Sequence, residues 1–152
     1  MGGERLSETL IVRIRRLDPD LPLPDYATAG AVGFDLYCRE DTILAPDEIA
    51  LLPTGIAIAT PPGYMLMVAS RSSTPHRKGL SVPHGVGVID QDYRGDGDEI
   101  RCQVYNFTGS PVTVARGERI AQGIFVRVDR AEWEEVRTMD APTRGGFGST
   151  GE

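Results

Sequence analysis

The stretch Arg119-Ile-Ala-Gln-Gly-Ile-Phe-Val-Arg-Val128 indicates the fold class, because its second half partly alternates between apolar and polar residues. Period-two alternation is typical of a β-strand that buries one face. Ile11-Val-Arg-Ile-Arg-Arg-Leu17 has a similar pattern near the other end of the chain. Elsewhere 18 glycines and 11 prolines divide the sequence into short runs rich in Val, Ile, Leu and Tyr. Short strands at this spacing predict an all-β sandwich or barrel.

Little of the sequence has the pattern of a helix. The best helical candidate is a turn or two near Ser70–Lys78, which we expect Pro75 to break because proline has no amide hydrogen. Residues 138–152 are rich in Gly, Ser and Thr and show no apolar periodicity, which is typical of a mobile tail. The sequence therefore predicts a β domain over residues 1–137 and a flexible C-terminal arm over 138–152.

The composition limits the classes of function. The chain has 152 residues, enough for one domain, and its net charge of −6 argues against general binding to nucleic acid. No run approaches the roughly 20 apolar residues of a membrane span, and the first residues lack a signal-peptide pattern. Cys38 and Cys102 form no CxxC pair and predict two reduced, partly buried thiols. We therefore expect a cytoplasmic protein that binds neither nucleic acid nor membrane.

The acidic stretch Asp90-Gln-Asp-Tyr-Arg-Gly-Asp-Gly-Asp-Glu99 is the first candidate for chemistry. An EF-hand calcium loop is excluded, because Arg94 and Arg101 occupy positions five and twelve, where oxygen ligands are needed. A solvated turn is the expectation for Asp96–Glu99. Asp90 follows an apolar run, so its carboxylate is expected at the edge of buried surface, where it is a candidate general base.

Two further segments carry groups that suit phosphate oxygens. Ser70-Arg-Ser-Ser-Thr-Pro-His-Arg-Lys-Gly79 combines hydroxyls with arginine where a strand ends, although a capped helix start has the same composition. Arg144-Gly-Gly-Phe-Gly-Ser-Thr-Gly151 is either a disordered tail or a lid that closes over phosphates while Phe147 stacks on a base. Gln122, inside an apolar strand, either satisfies a backbone neighbour or points into a site.

Five segments, in this order, resemble the motif set of the trimeric dUTPase family. They are Ala31-Val-Gly-Phe-Asp-Leu36, Ser70-Arg-Ser-Ser73, Gly87-Val-Ile-Asp-Gln-Asp-Tyr-Arg-Gly95, Gly117-Glu-Arg-Ile-Ala-Gln122 and Arg144-Gly-Gly-Phe-Gly-Ser-Thr-Gly151. The resemblance implies a jelly-roll-like β fold and a homotrimer with an exchanged C-terminal tail. It also implies Mg²⁺-dependent hydrolysis of dUTP to dUMP and pyrophosphate, which limits uracil incorporation into DNA and supplies dUMP for thymidylate synthesis.

The resemblance also implies roles for individual residues. Asp90 would activate the water that attacks the α-phosphate, and Gln122 would contact that phosphate and position the water. Tyr93 would pack under the deoxyribose and exclude a 2′-hydroxyl, while Asp35 would contact Mg²⁺ through water. The other substrate contacts are phosphate ligands Arg71, Ser72 and Ser73; base contacts Gly87, Val88, Ile89, His84 and Arg101; and tail residues Arg144, Phe147, Gly148 and Ser149.

Two other functions on the same fold are compatible with parts of the sequence: dCTP deamination and non-catalytic nucleotide binding. The related dCTP deaminases need a glutamate in the strand before a Tyr-Asn pair, whereas Gln103-Val-Tyr-Asn106 supplies a glutamine that cannot shuttle a proton. A non-catalytic, trimeric nucleotide-binding regulator on the same fold would be expected to lose Asp90, Tyr93 or the tail. All three are present, so the sequence favours the hydrolase.

Overall fold

The computed structural model describes residues 9–148, and within them the chain is almost entirely β. The predicted all-β class is therefore confirmed. The elements are β1 (Ile14–Arg16), β2 (Phe34–Tyr37), β3 (Thr42–Leu44), β4 (Ile49–Pro53), β5 (Ile56–Ile58), β6 (Tyr64–Ala69), α1 (Thr74–Lys78), β7 (Leu80–Ser81), β8 (Gly87–Ile89), β9 (Arg101–Asn106), β10 (Val112–Val114) and β11 (Arg119–Arg127).

The strands form small antiparallel sheets in a jelly-roll-like arrangement. The largest sheet has the order β2-β11-β6-β8, and a second has the order β4-β9-β7. Two-stranded pairs, β1 with β5 and β3 with β10, complete the framework. Neighbours in a sheet are mostly distant in sequence, so the fold depends on long-range pairing.

The hydrophobic core lies between the sheets and is made by alternate residues of the strands. In β9, Cys102, Val104 and Asn106 are buried while the residues between them are not. The buried Asn106 amide donates hydrogen bonds to the carbonyls of Leu44, Ala45 and Ser110, which compensates for its lost hydration. The alternation that the sequence predicts therefore reflects the two faces of each strand.

The longest strand, β11, fits closely against the aromatic ring of Phe34. A Cβ atom on Gly123 would lie 2.5 Å from Cζ of Phe34, closer than carbon atoms pack. The absence of a side chain at this position therefore lets the ring cross the strand. Phe34 also contacts Phe125, with ring centroids 5.6 Å apart, and Tyr26 edge-on at 5.8 Å.

The short helix is present, but the expectation that Pro75 breaks it is wrong. The helix starts at Thr74, and Pro75 lies in its first turn. Proline is tolerated there because the first amide groups of a helix have no intrahelical acceptor. The helix ends instead at Gly79, whose φ of 70° is left-handed and whose amide donates to the Pro75 carbonyl at 3.1 Å.

The expectation of a solvated acidic turn is wrong for Glu99, which is only 8% exposed. Its Oε2 accepts a hydrogen bond from the Gly55 amide at 2.7 Å and pairs with Nη1 of Arg39 at 3.2 Å. A hydrogen bond and an opposite charge together offset the cost of burying this carboxylate. Asp98 is half-buried and accepts from the Gly95 amide at 2.8 Å.

The described chain continues past the last strand as an extended tail. Val128 donates its amide to the Gly63 carbonyl, and residues 129–148 contain neither helix nor strand. Trp133, Met139 and Phe147 are almost wholly exposed along this segment. Within residues 9–148, no helix has the length and apolarity needed to span a membrane.

Both cysteines are free thiols, and both are more deeply buried than the sequence predicts. Cys38 and Cys102 are 0% and 1% exposed. Burial, with a smaller contribution from Cys38, raises the pKa of Cys102 from 9.0 to about 12. Burial also raises the pKa of Cys38.

We expect Gly123→Ala to destabilise the fold by about 1–3 kcal/mol, because the added methyl group would overlap the Phe34 ring. Urea unfolding at a fixed protein concentration measures this loss. Gly30→Ala is the matched control, since nothing lies within 4 Å of a Cβ there. The control should change stability by less than about 0.5 kcal/mol. Equal stability of the two variants would contradict the packing described.

We expect neither thiol to react with a disulfide reagent near neutral pH until the protein is denatured, when both should react. A folded-state pKa above the ordinary value of 9.0 also has a consequence for stability. The contribution of the neutral Cys102 thiol is fully present below pH 9.0 and is lost as the pH rises towards about 12. Cys102→Ala should therefore flatten the alkaline part of the stability profile. Rapid labelling of the native protein would refute this account.

Candidate active site

Four polar side chains converge at the Ala69 end of β6; they are Asp35, Arg71, Arg119 and Gln122, and we call them the arginine group. In the sheet, Gln122 stands opposite Asp35 on one side and Ala69 on the other. Nε of Arg71 lies 3.0 Å from Oδ1 of Asp35, and Nη1 of Arg119 lies 3.4 Å from its Oδ2. One carboxylate thus holds two guanidinium groups together.

The Gln122 side chain is oriented from two directions. Its Nε2 donates to the Ser70 carbonyl at 3.1 Å. Its Oε1 occupies the space where Gly33 would carry a Cβ, so any larger residue at 33 would displace the amide. The structure confirms the first alternative from the sequence, because the amide satisfies a backbone carbonyl, and it places Gln122 opposite Asp35; a role of Gln122 in a site stays a prediction.

Ser72 and Ser73 lie in the turn between Arg71 and helix α1. Ser73 occupies the N-cap position, but its hydroxyl makes no capping hydrogen bond to the helix. Ser72 is exposed and Ser73 is half-buried. The two hydroxyls therefore sit next to the arginine group without serving as helix caps, which suits a role in holding an anion.

A second group surrounds a cavity of about 410 Å³ beside β8, which we call the hairpin cavity. Five residues that the sequence assigned to substrate contacts line it: His84, Gly87, Val88, Ile89 and Arg101. The other residues that line the cavity were not predicted from the sequence; they are Leu51, Val68, Val82, Val86 and Gln103. Gln103 could have been found, because it follows Arg101 by two positions in a strand and so points to the same side.

The His84 ring is held against the backbone beside the hairpin cavity. Its Nδ1 lies 2.5 Å from the Val86 carbonyl oxygen. Because a carbonyl can only accept, this hydrogen bond needs the proton on Nδ1. A Cβ on Gly87 would lie 3.2 Å from Cβ of Val68 and 3.6 Å from Cε1 of His84. The absence of a side chain at 87 therefore keeps this wall of the cavity open.

Asp90 and Tyr93 follow β8 in a tight turn. The Tyr93 amide donates to the Asp90 carbonyl at 3.2 Å, and the Tyr93 hydroxyl donates to the Glu99 carbonyl at 2.8 Å. Asp90 is exposed in the single chain and borders a separate cavity of about 460 Å³ that Tyr64, Met65 and Arg130 also line. Its carboxylate is thus accessible to a substrate.

One chain does not bring Asp90 to the arginine group. Strand β6 separates them, because Ile89 pairs with Leu66 whereas Gln122 pairs with Ala69. Asp90 therefore lies near Met65, four residues along β6 from the partner of Gln122. At about 3.3 Å per residue this corresponds to roughly 13 Å. Within one chain, Asp90 and the arginine group therefore lie too far apart to contact the same phosphorus atom.

The described tail residues that the sequence assigned to substrate are exposed. Arg144 and Phe147 are exposed, and Phe147 has a left-handed φ of 48°. Gly148 follows with a φ of 88°, and Ser149 lies outside the described residues. Because the Phe147 ring is fully exposed, it packs against nothing within residues 9–148.

Asp35 is the residue that the sequence assigned to a metal. Among residues 9–148, no three His, Cys, Asp or Glu side chains converge on one point. Asp35 is the single carboxylate of the arginine group, and both of its oxygens face guanidinium groups. Such a donor set suits a cation that brings most of its own ligands, as hydrated Mg²⁺ does on a polyphosphate.

Comparison with known proteins gives a consistent result. The dUTPase family model matches residues 20–151. A deoxyuridine 5′-triphosphate nucleotidohydrolase of Thermobifida fusca (strain YX) is 49% identical over 146 residues, which cover 94% of this chain and 80% of the relative. The crystal structure of dUTPase from Streptococcus mutans is 35% identical, with a TM-score of 0.72 over 79% of this chain and 98% of that chain.

A more distant structure shares the fold. It is a mutant dUTPase from phage phi11 of S. aureus, 20% identical, with a TM-score of 0.77 over 87% of this chain and 100% of that one. That phage protein is described as coordinating a structural Mg(II) ion.

Proposed function

The chain belongs to the dUTPase family, and we propose how its residues carry out the reaction of that family. The reaction is the hydrolysis of dUTP to dUMP and pyrophosphate, so the protein is a dUTP diphosphatase. The family match and the relatives' names do not favour the two alternatives, dCTP deamination and non-catalytic nucleotide binding. The proposals below concern the base site, the phosphate site, the metal and the assembly.

The hairpin cavity is the observation that carries the assignment of the base site. Strand β8 is the last strand of its sheet, so within residues 9–148 its second backbone edge has no neighbouring strand. The amide and carbonyl groups of Gly87, Val88 and Ile89 on that edge offer donors and acceptors in a fixed pattern. Uracil presents a complementary edge with one N–H between two carbonyl groups. Backbone pairing of this kind would select uracil, and rejection of thymine would come from side chains of the cavity that stand where the 5-methyl group would lie.

The arginine group is the proposed phosphate site. Arg71 and Arg119 supply guanidinium groups, and Ser72 and Ser73 supply hydroxyl donors next to them. Guanidinium groups bind phosphate oxygens through paired N–H donors. Their charge offsets that of the triphosphate, which would otherwise repel an attacking oxygen nucleophile.

The cofactor that we propose is Mg²⁺, bound with the substrate. When bound, it would neutralise phosphate charge, and Asp35 would accept hydrogen bonds from its water ligands. A single carboxylate fits this role better than direct coordination by a protein cage. The structural Mg(II) ion of the phage phi11 protein supports the compatibility of this fold with magnesium.

Asp90 is the proposed general base. Its carboxylate would take a proton from the water whose oxygen forms the new bond to the α-phosphorus. The bond from that phosphorus to the bridging oxygen breaks, and pyrophosphate leaves with the electron pair. Gln122, whose amide is held by the Ser70 carbonyl, would orient the α-phosphate and the water. Positioning and charge neutralisation then provide the remaining rate enhancement.

The separation of the two groups supports assembly of the site from more than one chain. Asp90 and Gln122 of one chain lie roughly 13 Å apart along β6, so they cannot serve the same α-phosphate. We propose a homotrimer in which the Asp90 turn of one subunit faces the arginine group of another. The exposed tail, with Arg144 and Phe147, would then close over the nucleotide from a neighbouring subunit.

We expect Asp90→Asn to lower kcat roughly 100- to 10,000-fold, because an amide cannot accept the proton from water. Pyrophosphate release from dUTP with Mg²⁺ measures the rate, and calorimetry should show that dUTP still binds. Asp96→Asn makes the same charge change in the same hairpin and should keep the parental rate. Equal turnover by Asp90→Asn and the parent would rule out Asp90 as the base.

A mixture of two impaired variants tests the assembly. The Asp90→Asn chain keeps an intact Gln122, and the Gln122→Ala chain keeps an intact Asp90. A mixed trimer therefore contains some sites in which Asp90 and Gln122 are both intact. After subunit exchange at equal amounts, about a quarter of the parental activity should return, since each site draws on two chains. Activity that stays at the level of the separate variants would show that each site lies within one chain. The sedimentation mass of the parent should correspond to three chains.

A further inference from the structure

The acidic loop, Asp96–Glu99, is bound to the body of the protein at its last residue. The Glu99 carboxylate accepts from the Gly55 amide and pairs with Arg39, residues that come from the segments around β2, β4 and β5. The side chain is buried, whereas Asp96 is exposed and only its carbonyl is contacted, by Nη1 of Arg15. The loop is therefore attached to other segments of the chain by the Asp96 carbonyl and by the Glu99 side chain, and Glu99 supplies the acidic side chain of that attachment.

The backbone next to Glu99 is fixed by the same segment. The Ile100 amide donates to the Ile56 carbonyl at 2.8 Å, and the Ile100 carbonyl accepts from the Thr54 hydroxyl at 2.6 Å. The Glu99 carbonyl and the Ile100 amide belong to one planar trans peptide unit and point in opposite directions. Anchoring the amide to Ile56 therefore fixes the direction of the Glu99 carbonyl.

That carbonyl is the acceptor for the hydroxyl of Tyr93, at 2.8 Å. The ring of Tyr93 is attached to the chain at one end, within the turn that follows Asp90, and its hydroxyl is held at the other end by Glu99. Tyr93 is 38% exposed, and this hydrogen bond gives its hydroxyl a defined acceptor. A ring held at both ends keeps one position, whereas a ring held at one end can rotate away.

We propose that Glu99 is a positioning residue for Tyr93 and thereby sets the preference for deoxyribose over ribose. The proposal rests on the proposed function and on the expectation from the sequence that Tyr93 packs under the deoxyribose and excludes a 2′-hydroxyl. Glu99 does not touch the nucleotide. Its carboxylate, held by Gly55 and Arg39, anchors Glu99 itself, while the bond from the Ile100 amide to Ile56 orients the peptide unit that follows. Together they place the carbonyl that accepts from the Tyr93 hydroxyl.

The test compares dUTP and UTP as substrates on the same preparation of each variant. The ratio of the two kcat/KM values is the readout, because the fraction of folded enzyme cancels in it. Glu99→Ala should lower the ratio about tenfold, the usual effect of one lost hydrogen bond. Glu99→Gln should lower it less, since an amide oxygen can still accept from Gly55. Asp96→Asn removes an equal charge from the same loop and should leave the ratio at the parental value.

A double-mutant cycle separates positioning from a general loss of structure. Tyr93→Phe removes the hydroxyl that the Glu99 carbonyl accepts, so it should lower the dUTP/UTP ratio by about the same factor as Glu99→Ala. In the Tyr93→Phe background, Glu99→Ala should then have no further effect on the ratio, because the interaction is already absent. Thermal melts of all variants report any change in stability separately.

Three results would overturn the inference. An unchanged dUTP/UTP ratio in Glu99→Ala shows that Glu99 does not control the position of Tyr93. A loss that is equally large in the Tyr93→Phe background shows that Glu99 acts by another route. A loss in Asp96→Asn as large as in Glu99→Gln shows that loop charge is the cause. If Glu99→Ala does not fold, Glu99→Gln gives the same comparison. Absence of pyrophosphate release by the parent would instead refute the proposed function itself.

Discussion

The pairing of β11 with strands on both of its sides is the constraint on which the rest of the structure depends. Gln122 stands opposite Asp35 of β2 and Ala69 of β6 at once, so three strands are aligned at one residue. Residues directly opposite one another share a face of the sheet, which places the arginine group together. The alignment requires Gly123, because the Phe34 ring occupies the space of a side chain there. Core packing and the proposed phosphate site therefore depend on the same strand.

Much of this arrangement could be predicted from short-range sequence pattern. Period-two alternation indicated strands, and the motifs indicated which residues would surround a base. His84, Val88 and Arg101 do line one cavity, although they come from different segments of the chain. They share the cavity because β8 and β9 both border it, and strand alternation determines which residues of each strand point towards it. Their contact with a base stays a prediction.

Features that depend on distant partners could not be predicted. Glu99 lies in a run of acidic and glycine residues that looks solvated, yet its partners Arg39 and Gly55 are 60 and 44 residues away. The prediction for Pro75 is wrong because the effect of a proline depends on whether it lies in the first turn or in the middle of a helix. The separation of Asp90 from Gln122 follows from strand order, which no local pattern contains. Long-range pairing decides each of these cases.

The position of β8 at the end of its sheet has a consequence for self-association. An unpaired strand edge is a template for another strand, and proteins usually protect such edges with charge, proline or a covering segment. Here the edge borders a cavity of about 410 Å³, and the proposed site fills it with a nucleobase. The base would take the place of the next strand, so the nucleotide-bound protein would have fewer free backbone groups for edge-to-edge aggregation. Substrate recognition and solubility would thus share one row of peptide groups.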